Sequence, residues 1–154
     1  MVELPHDFKE FLNLLNTHHV EYLLVGGYAV AAWGYPRFTG DLDLWIHTSA
    51  QNAQKILHVC REFGFDVPNL RLELFTDPNQ MTRMGHPPVR IEILNSVSGL
   101  KFQDAWPNRV IKEIDGISVS LISLSDLRIN KQASGRFKDL ADLENLPESF
   151  PNDA

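Results

Sequence analysis

Apolar positions recur along this chain with two periods. Over residues 6–18, HDFKEFLNLLNTH, Phe8, Phe11, Leu12, Leu14 and Leu15 fall largely on one helical face, with Asp7 near the start. Residues 21–25, EYLLV, form a short continuous run that predicts a buried strand. Gly26-Gly27 breaks it, and YAVAAWG suits a short helix ended by Gly34, with Pro36 beyond. Residues 41–46 alternate strictly, which predicts a strand with Leu42, Leu44 and Ile46 turned into a core. Thr48 or Ser49 can then cap a helix to about Phe63, where Gly64 stops it.

Residues 70–75 and 89–94 also alternate and read as strands, separated by a polar, proline-rich loop, TDPNQMTRMGHPP. Residues 102–106 fit one helical turn. Residues 109–114 and 117–121 flank Asp115-Gly116, a strong hairpin signal. Ser123 and Asp126 form an N-cap pair for a helix to about Ala133, and Gly135 separates it from a last helix over 137–146. Residues 1–147 thus read as a single domain, and 148–154 as a flexible tail. Mixed helices and strands with a late hairpin give an α/β (α+β) class, a mixed sheet flanked by helices.

The 154 residues are 44% hydrophobic, enough for a core without covalent staples. The single cysteine, Cys60, excludes an internal disulfide and fits a reducing compartment. No apolar run reaches a membrane-spanning length, and the N-terminus lacks a signal-peptide pattern, so a cytoplasmic protein with no membrane partner is expected. A net charge of −6 argues against non-specific grip on a polyanion. Residues 1–66 hold four basic side chains against eight acidic ones, and the remaining 88 hold ten against twelve, which leaves room for a local basic patch in the second half. There is no G-x-x-x-x-G-K-[ST] loop, Cys-x-x-Cys pair or Ser-His-Asp arrangement. Cys60 sits in an apolar helix pattern and reads as a small buried hydrophobe.

The chemistry concentrates in VGGYAVAAWGYPRFTGDLDLWI, residues 25–46. Asp41 and Asp43 stand two apart on a strand, so both carboxylates leave the same face. Two like charges this close raise one pKa or hold a cation. Oxygen-only donors suit Mg2+ or Mn2+. Gly26 and Gly27, between a strand and a helix, let backbone approach an anion closely. A phosphate on the glycines, bridged by a metal to the aspartates, would be the arrangement of phosphoryl or nucleotidyl transfer.

This block resembles the signature of the polymerase-β-like nucleotidyltransferase superfamily. It is especially similar to small prokaryotic members, including minimal nucleotidyltransferases and abortive-infection-type toxins. Arg37, Thr39, Asp41 and Asp43 match the Arg-x-Thr-x-Asp-x-Asp arrangement of those members. The resemblance implies a nucleotidyltransferase-like fold and two divalent ions held by both aspartates and a third carboxylate on a neighbouring strand. VRIEIL puts Arg90, Glu92 and Leu94 on one face, so Glu92 is the expected third ligand, where the family more often has Asp. Glu73 is the rival and reads better as an exposed strand residue. Residues 121–146 resemble the helical C-terminal segment of these transferases, and Lys131 would by analogy reach a triphosphate.

The implied reaction moves an NMP from an NTP to an acceptor hydroxyl, on an RNA 3′ end or a protein side chain, and releases pyrophosphate. Asp41, Asp43 and Glu92 would be catalytic and metal-binding; Gly26, Gly27, Arg37, Thr39 and Lys131 would bind nucleotide. The alternative is a catalytically degenerate nucleotide- or partner-binding module of a toxin–antitoxin type system. A second recognition domain, common in larger relatives, is not seen, so a partner chain or a homo-oligomer is expected to supply recognition.

Overall fold

The structure, a computed structural model, describes residues 2–65 and 68–149. Residues 150–154, most of the expected tail, lie outside the described residues. In chain order the elements are α1 (His6–Thr17), β1 (Tyr22–Val25), α2 (Gly26–Ala32), β2 (Asp41–Ile46), α3 (Ala50–Phe63), β3 (Met81–His86), β4 (Val89–Leu94), α4 (Phe102–Ala105), β5 (Val110–Ile114), β6 (Ile117–Leu121), α5 (Leu124–Ser134) and α6 (Phe137–Asn145). Six strands form one sheet in the order β3-β4-β2-β1-β6-β5. β1 runs antiparallel to β2 and parallel to β6; β2 is parallel to β4; the outer pairs β3-β4 and β5-β6 are antiparallel. The sheet is mixed and flanked by helices, as the alternation of elements required.

The caps fall where the polar residues placed them. Ser49 Oγ accepts from Asn52 N–H at 3.2 Å, and Ser123 Oγ accepts from Asp126 N–H at 3.1 Å. Gly64 (φ 102°) and Gly135 (φ 67°) end α3 and α5 in the left-handed region. Leu42, Leu44 and Ile46 are fully buried. Each contributes about 1.5–3 kcal/mol relative to exposure. Asn52, buried at the start of α3, accepts from Glu21 N–H (2.8 Å) and donates to the carbonyls of Glu21 (3.0 Å) and His47 (2.8 Å), tying helix to strand ends.

Three expectations are corrected. The glycine pair does not precede α2 but forms its first turn, beginning at Gly26 with φ 70°. Residues 70–75 are not a strand: Leu72–Phe75 make a 3-10 turn. Phe75 is buried there, and the Leu74 carbonyl accepts from the Asn95 side chain (2.8 Å) instead of from a ladder. The loop expected over 76–88 contains β3, which pairs residue for residue with β4. Its sequence, MTRMGH, hides it. β3 is an edge strand in which only Met84 is buried, so no alternation of apolar residues marks it.

Candidate active site

Strand register assembles the site. Asp43 lies opposite Glu92 across the parallel β2–β4 pair, and Glu92 lies opposite Arg83 across β3–β4. One row therefore reads Asp43, Glu92, Arg83 over three strands. The next row pairs Asp41 with Arg90. Cross-strand partners share a face, and a carboxylate oxygen from each of Asp41, Asp43 and Glu92 comes within 4.8 Å of the others.

Two arginines offset the crowded negative charge. Arg90 Nε and Nη2 donate to the two oxygens of Asp41 at 2.8 and 3.1 Å, and Nη2 also lies 3.2 Å from Glu92 Oε1. Arg83 Nε donates to the same Glu92 oxygen at 3.0 Å. Asp43 has no such partner: its Oδ1 is buried without a hydrogen bond among the described residues. Burial first, then the hydrogen bond and repulsion from Glu92 and the charge of Asp41, push the Asp43 carboxyl up to about 7, against an opposing pull from Lys138. An oxygen-only cluster with one orphaned carboxylate oxygen fits a hard divalent cation.

Gly26 is explained by this packing. A Cβ there would collide with the Asp43 carboxylate, and its φ of 70° already disfavours side chains. At Gly27 a Cβ would lie 2.7 Å from both Cβ and Oγ1 of Thr39. Both glycines therefore admit protein groups from the β2 approach, one of them the unpaired aspartate.

The trio lines a cleft of about 390 Å3 together with Gly26, Arg83, Arg90, Asn130, Ser134, Arg136 and Lys138. The other expected nucleotide-binding residues are placed differently. Arg37 Nε and Nη2 grip the two oxygens of Asp142 at 2.8 and 2.9 Å. Arg37 and Thr39 face a separate cavity of about 540 Å3, lined by Tyr28, Phe38 and residues 2–5, which none of the three carboxylates reaches. That cavity is larger, but the smaller cleft holds the three carboxylates. Lys131 lines the cleft wall, yet its ammonium is 3.2 Å from Asp139 and 3.1 Å from Asp142 and only 3% of the residue is exposed. Its charge is thus held by two buried aspartates beside the cleft.

Glu73 is exposed, 3.9 Å from Arg71 and away from the trio. His47 pairs with Glu21 at 3.1 Å and stacks on Phe102. Cys60 is buried and its thiol is pushed up to about 12 by burial, so it is no nucleophile. Sequence reasoning missed Arg83 and Arg90 as site residues. The signal for Arg90 was present, since VRIEIL sets it on the Glu92 face. Arg83 had none without β3.

The profile of a family described as nucleotidyl transferase of unknown function (DUF2204) matches residues 5–153. Among curated proteins none matches significantly. Among solved structures, an antigenic nucleotidyltransferase-like protein from Paracoccidioides brasiliensis aligns with a TM-score of 0.54 at 22% identity, over 90% of this chain and 72% of that one. A candidate nucleotidyltransferase from Thermotoga maritima aligns with a TM-score of 0.53 at 15% identity, over 89% of this chain and 86% of that one. At these identities the two likenesses establish the fold. Among the described residues no helix is long and apolar enough to cross a membrane.

Proposed function

The chain belongs to the nucleotidyl transferase family matched over residues 5–153, and we propose that it transfers a nucleoside monophosphate from an NTP to an acceptor hydroxyl. The acceptor oxygen bonds to the α-phosphorus, the bond from that phosphorus to the bridging oxygen breaks, and pyrophosphate leaves with the electron pair. The observation that carries this reading is the register of Asp43 on Glu92, which gathers three carboxylates at the floor of a cleft rimmed by Arg83, Arg90, Arg136 and Lys138.

Asp41, Asp43 and Glu92 would hold Mg2+ or Mn2+, which when bound would neutralise charge on the phosphates and acidify the acceptor hydroxyl. Glu92, beside Asp43, takes the acceptor proton. The rim cations bind the β- and γ-phosphates, with Lys138 in the part first assigned to Lys131; Arg136 is held by Asp139 but its side chain stays exposed to the cleft, so it assists. Phosphate oxygens and the carboxylates compete for Arg83 and Arg90, so nucleotide binding loosens the arginine bridge. Gly26 keeps Asp43 in place, and the Arg37–Asp142 pair fixes the loop leading into β2 against α6.

The test incubates labelled NTPs and Mg2+ or Mn2+ with RNA and with protein fractions, reading pyrophosphate release and the class of labelled product. Label in RNA identifies a 3′-end acceptor, and label in a protein band identifies a side-chain hydroxyl. Orthophosphate release without label transfer would replace the reading with a phosphohydrolase. Turnover unchanged in Asp43→Asn would end it.

A further inference from the structure

The turn between α1 and β1 carries two histidines, and α3 carries a third at His58. His58 and Glu62 are four apart on α3, so both side chains rise from one face. His18 sits at the C-terminal cap of α1, and the next residue, His19, adopts φ 56° to turn the chain away. This leaves His18 facing α3. Its Nε2 lies 2.7 Å from Glu62 Oε2, and His58 Nε2 lies 3.6 Å from that same oxygen. The imidazole rings meet edge to face with centroids 4.7 Å apart. Both ε-nitrogens thus converge on one carboxylate oxygen, and the donor atoms of all three side chains lie within 4.8 Å of one another.

Metal–ligand bonds of about 2.0–2.2 Å at tetrahedral angles separate donors by about 3.4 Å. The two nitrogen–oxygen distances, 2.7 and 3.6 Å, bracket that value. The two imidazoles are borderline donors that select zinc-like ions over magnesium, and the carboxylate adds the charge that such sites commonly carry. The site shares no residue with the carboxylate cleft.

We propose that His18, His58 and Glu62 bind a divalent transition metal of the zinc class and thereby clamp the end of α1 to α3. The edge-to-face contact of Phe11 with Phe63, centroids 5.2 Å apart, already joins these helices, so the clamp reinforces an existing seam. Three protein ligands leave one position for water. Bridging two helices, the ion would tie the stability of this seam to available zinc.

The test is made in an Asp41→Asn/Asp43→Asn background, so that the cleft does not contribute. Co2+ titration should give the intense visible bands of four-coordinate, nitrogen-ligated cobalt. Saturating Zn2+ should raise the thermal midpoint by about 5 °C. Adding His58→Gln, an exposed substitution that suits a helix, should abolish both effects, and His18→Gln should do the same. Zinc stabilisation that survives His58→Gln, or the absence of any zinc effect in the background chain, would overturn the proposal. The readouts are independent of nucleotidyl transfer.

Discussion

Two groups of buried or half-buried aspartates, one on the strands and one on α6, behave in opposite ways. In the cleft, Asp43 is desolvated beside two other carboxylates and has an oxygen with no partner. On α6, Asp139 and Asp142 are more completely buried, yet every charge is answered: Lys131 lies between them, Arg136 holds Asp139 at 2.8 Å, and Arg37 holds Asp142. Burial pushes all three carboxyls upward. For Asp43, Glu92 and Asp41 add to that push. For Asp139, hydrogen bonds from Arg136 and Ser134 and the charge of Lys131 reverse it, and for Asp142 Arg37 and Lys131 do so. Partner supply, rather than depth, separates an aspartate poised for a ligand from one that cements the fold.

The strongest way to break this comparison is Asp43→Asn. Turnover should fall roughly 10²–10³-fold, a loss of about 3–4 kcal/mol of transition-state stabilisation. Stability should instead rise by about 1–2 kcal/mol at neutral pH, because an unfavourably placed carboxylate is removed. The sign follows from linkage. A carboxyl whose folded pKa is raised from about 4 to about 7 binds more protons folded than unfolded, so it erodes stability as pH climbs through that window. Urea melts of wild type and Asp43→Asn should diverge over it. A destabilised Asp43→Asn protein would place Asp43 with the cementing group.

Asp142→Ala should do the reverse, costing about 3 kcal/mol of stability because it leaves Arg37 unpaired and Lys131 with one partner. Lys131→Met should cost less, about 1 kcal/mol, since each aspartate keeps its own arginine. Chemical denaturation of the two variants gives the order. Equal losses would mean that the lysine, and not the arginines, holds the network together.

Acid provides a milder probe of the same network. Asp139 and Asp142 have folded pKa values below their unfolded ones. Their contribution is complete above about pH 4 and declines as pH falls below that toward the depressed folded values. Thermal midpoints of wild type and Asp142→Asn should therefore differ most near neutrality and converge in acid. A gap that stays constant with pH would show that Asp142 acts through shape alone.

How much of this could be read in the sequence follows the same division. Residues 41–46 and 89–94 alternate, so the faces of Asp41, Asp43, Arg90 and Glu92 were legible, and the register of β2 on β4 only had to bring the faces together. Gly26 was legible as a close-approach glycine, but what approaches is Asp43, whose position depends on tertiary packing. The network on α6 was not legible. Arg37 and Asp142 are 105 positions apart and meet only because α6 folds back over the loop before β2. Lys131 in a helix pattern looks the same whether it faces phosphate or a buried carboxylate. β3 escaped because an exposed edge strand has no buried face to write a period into its sequence.

The smallest expected effect gives the finest discrimination. Lys138 is exposed, lines the cleft and pulls the Asp43 carboxyl downward. Lys131, seven residues earlier, lines the same cleft but has its ammonium between two aspartates. If the rim cations bind phosphate, Lys138→Gln should weaken NTP affinity about three- to tenfold while leaving stability within about 0.5 kcal/mol of wild type. Lys131→Gln should lower stability first, with affinity following only as the α5–α6 wall loosens. Calorimetric titration of an NTP with Mg2+, paired with a denaturation curve for each variant, separates the two. Loss of affinity in Lys131→Gln at unchanged stability would return that lysine to the phosphate and dissolve the division between the two groups of aspartates.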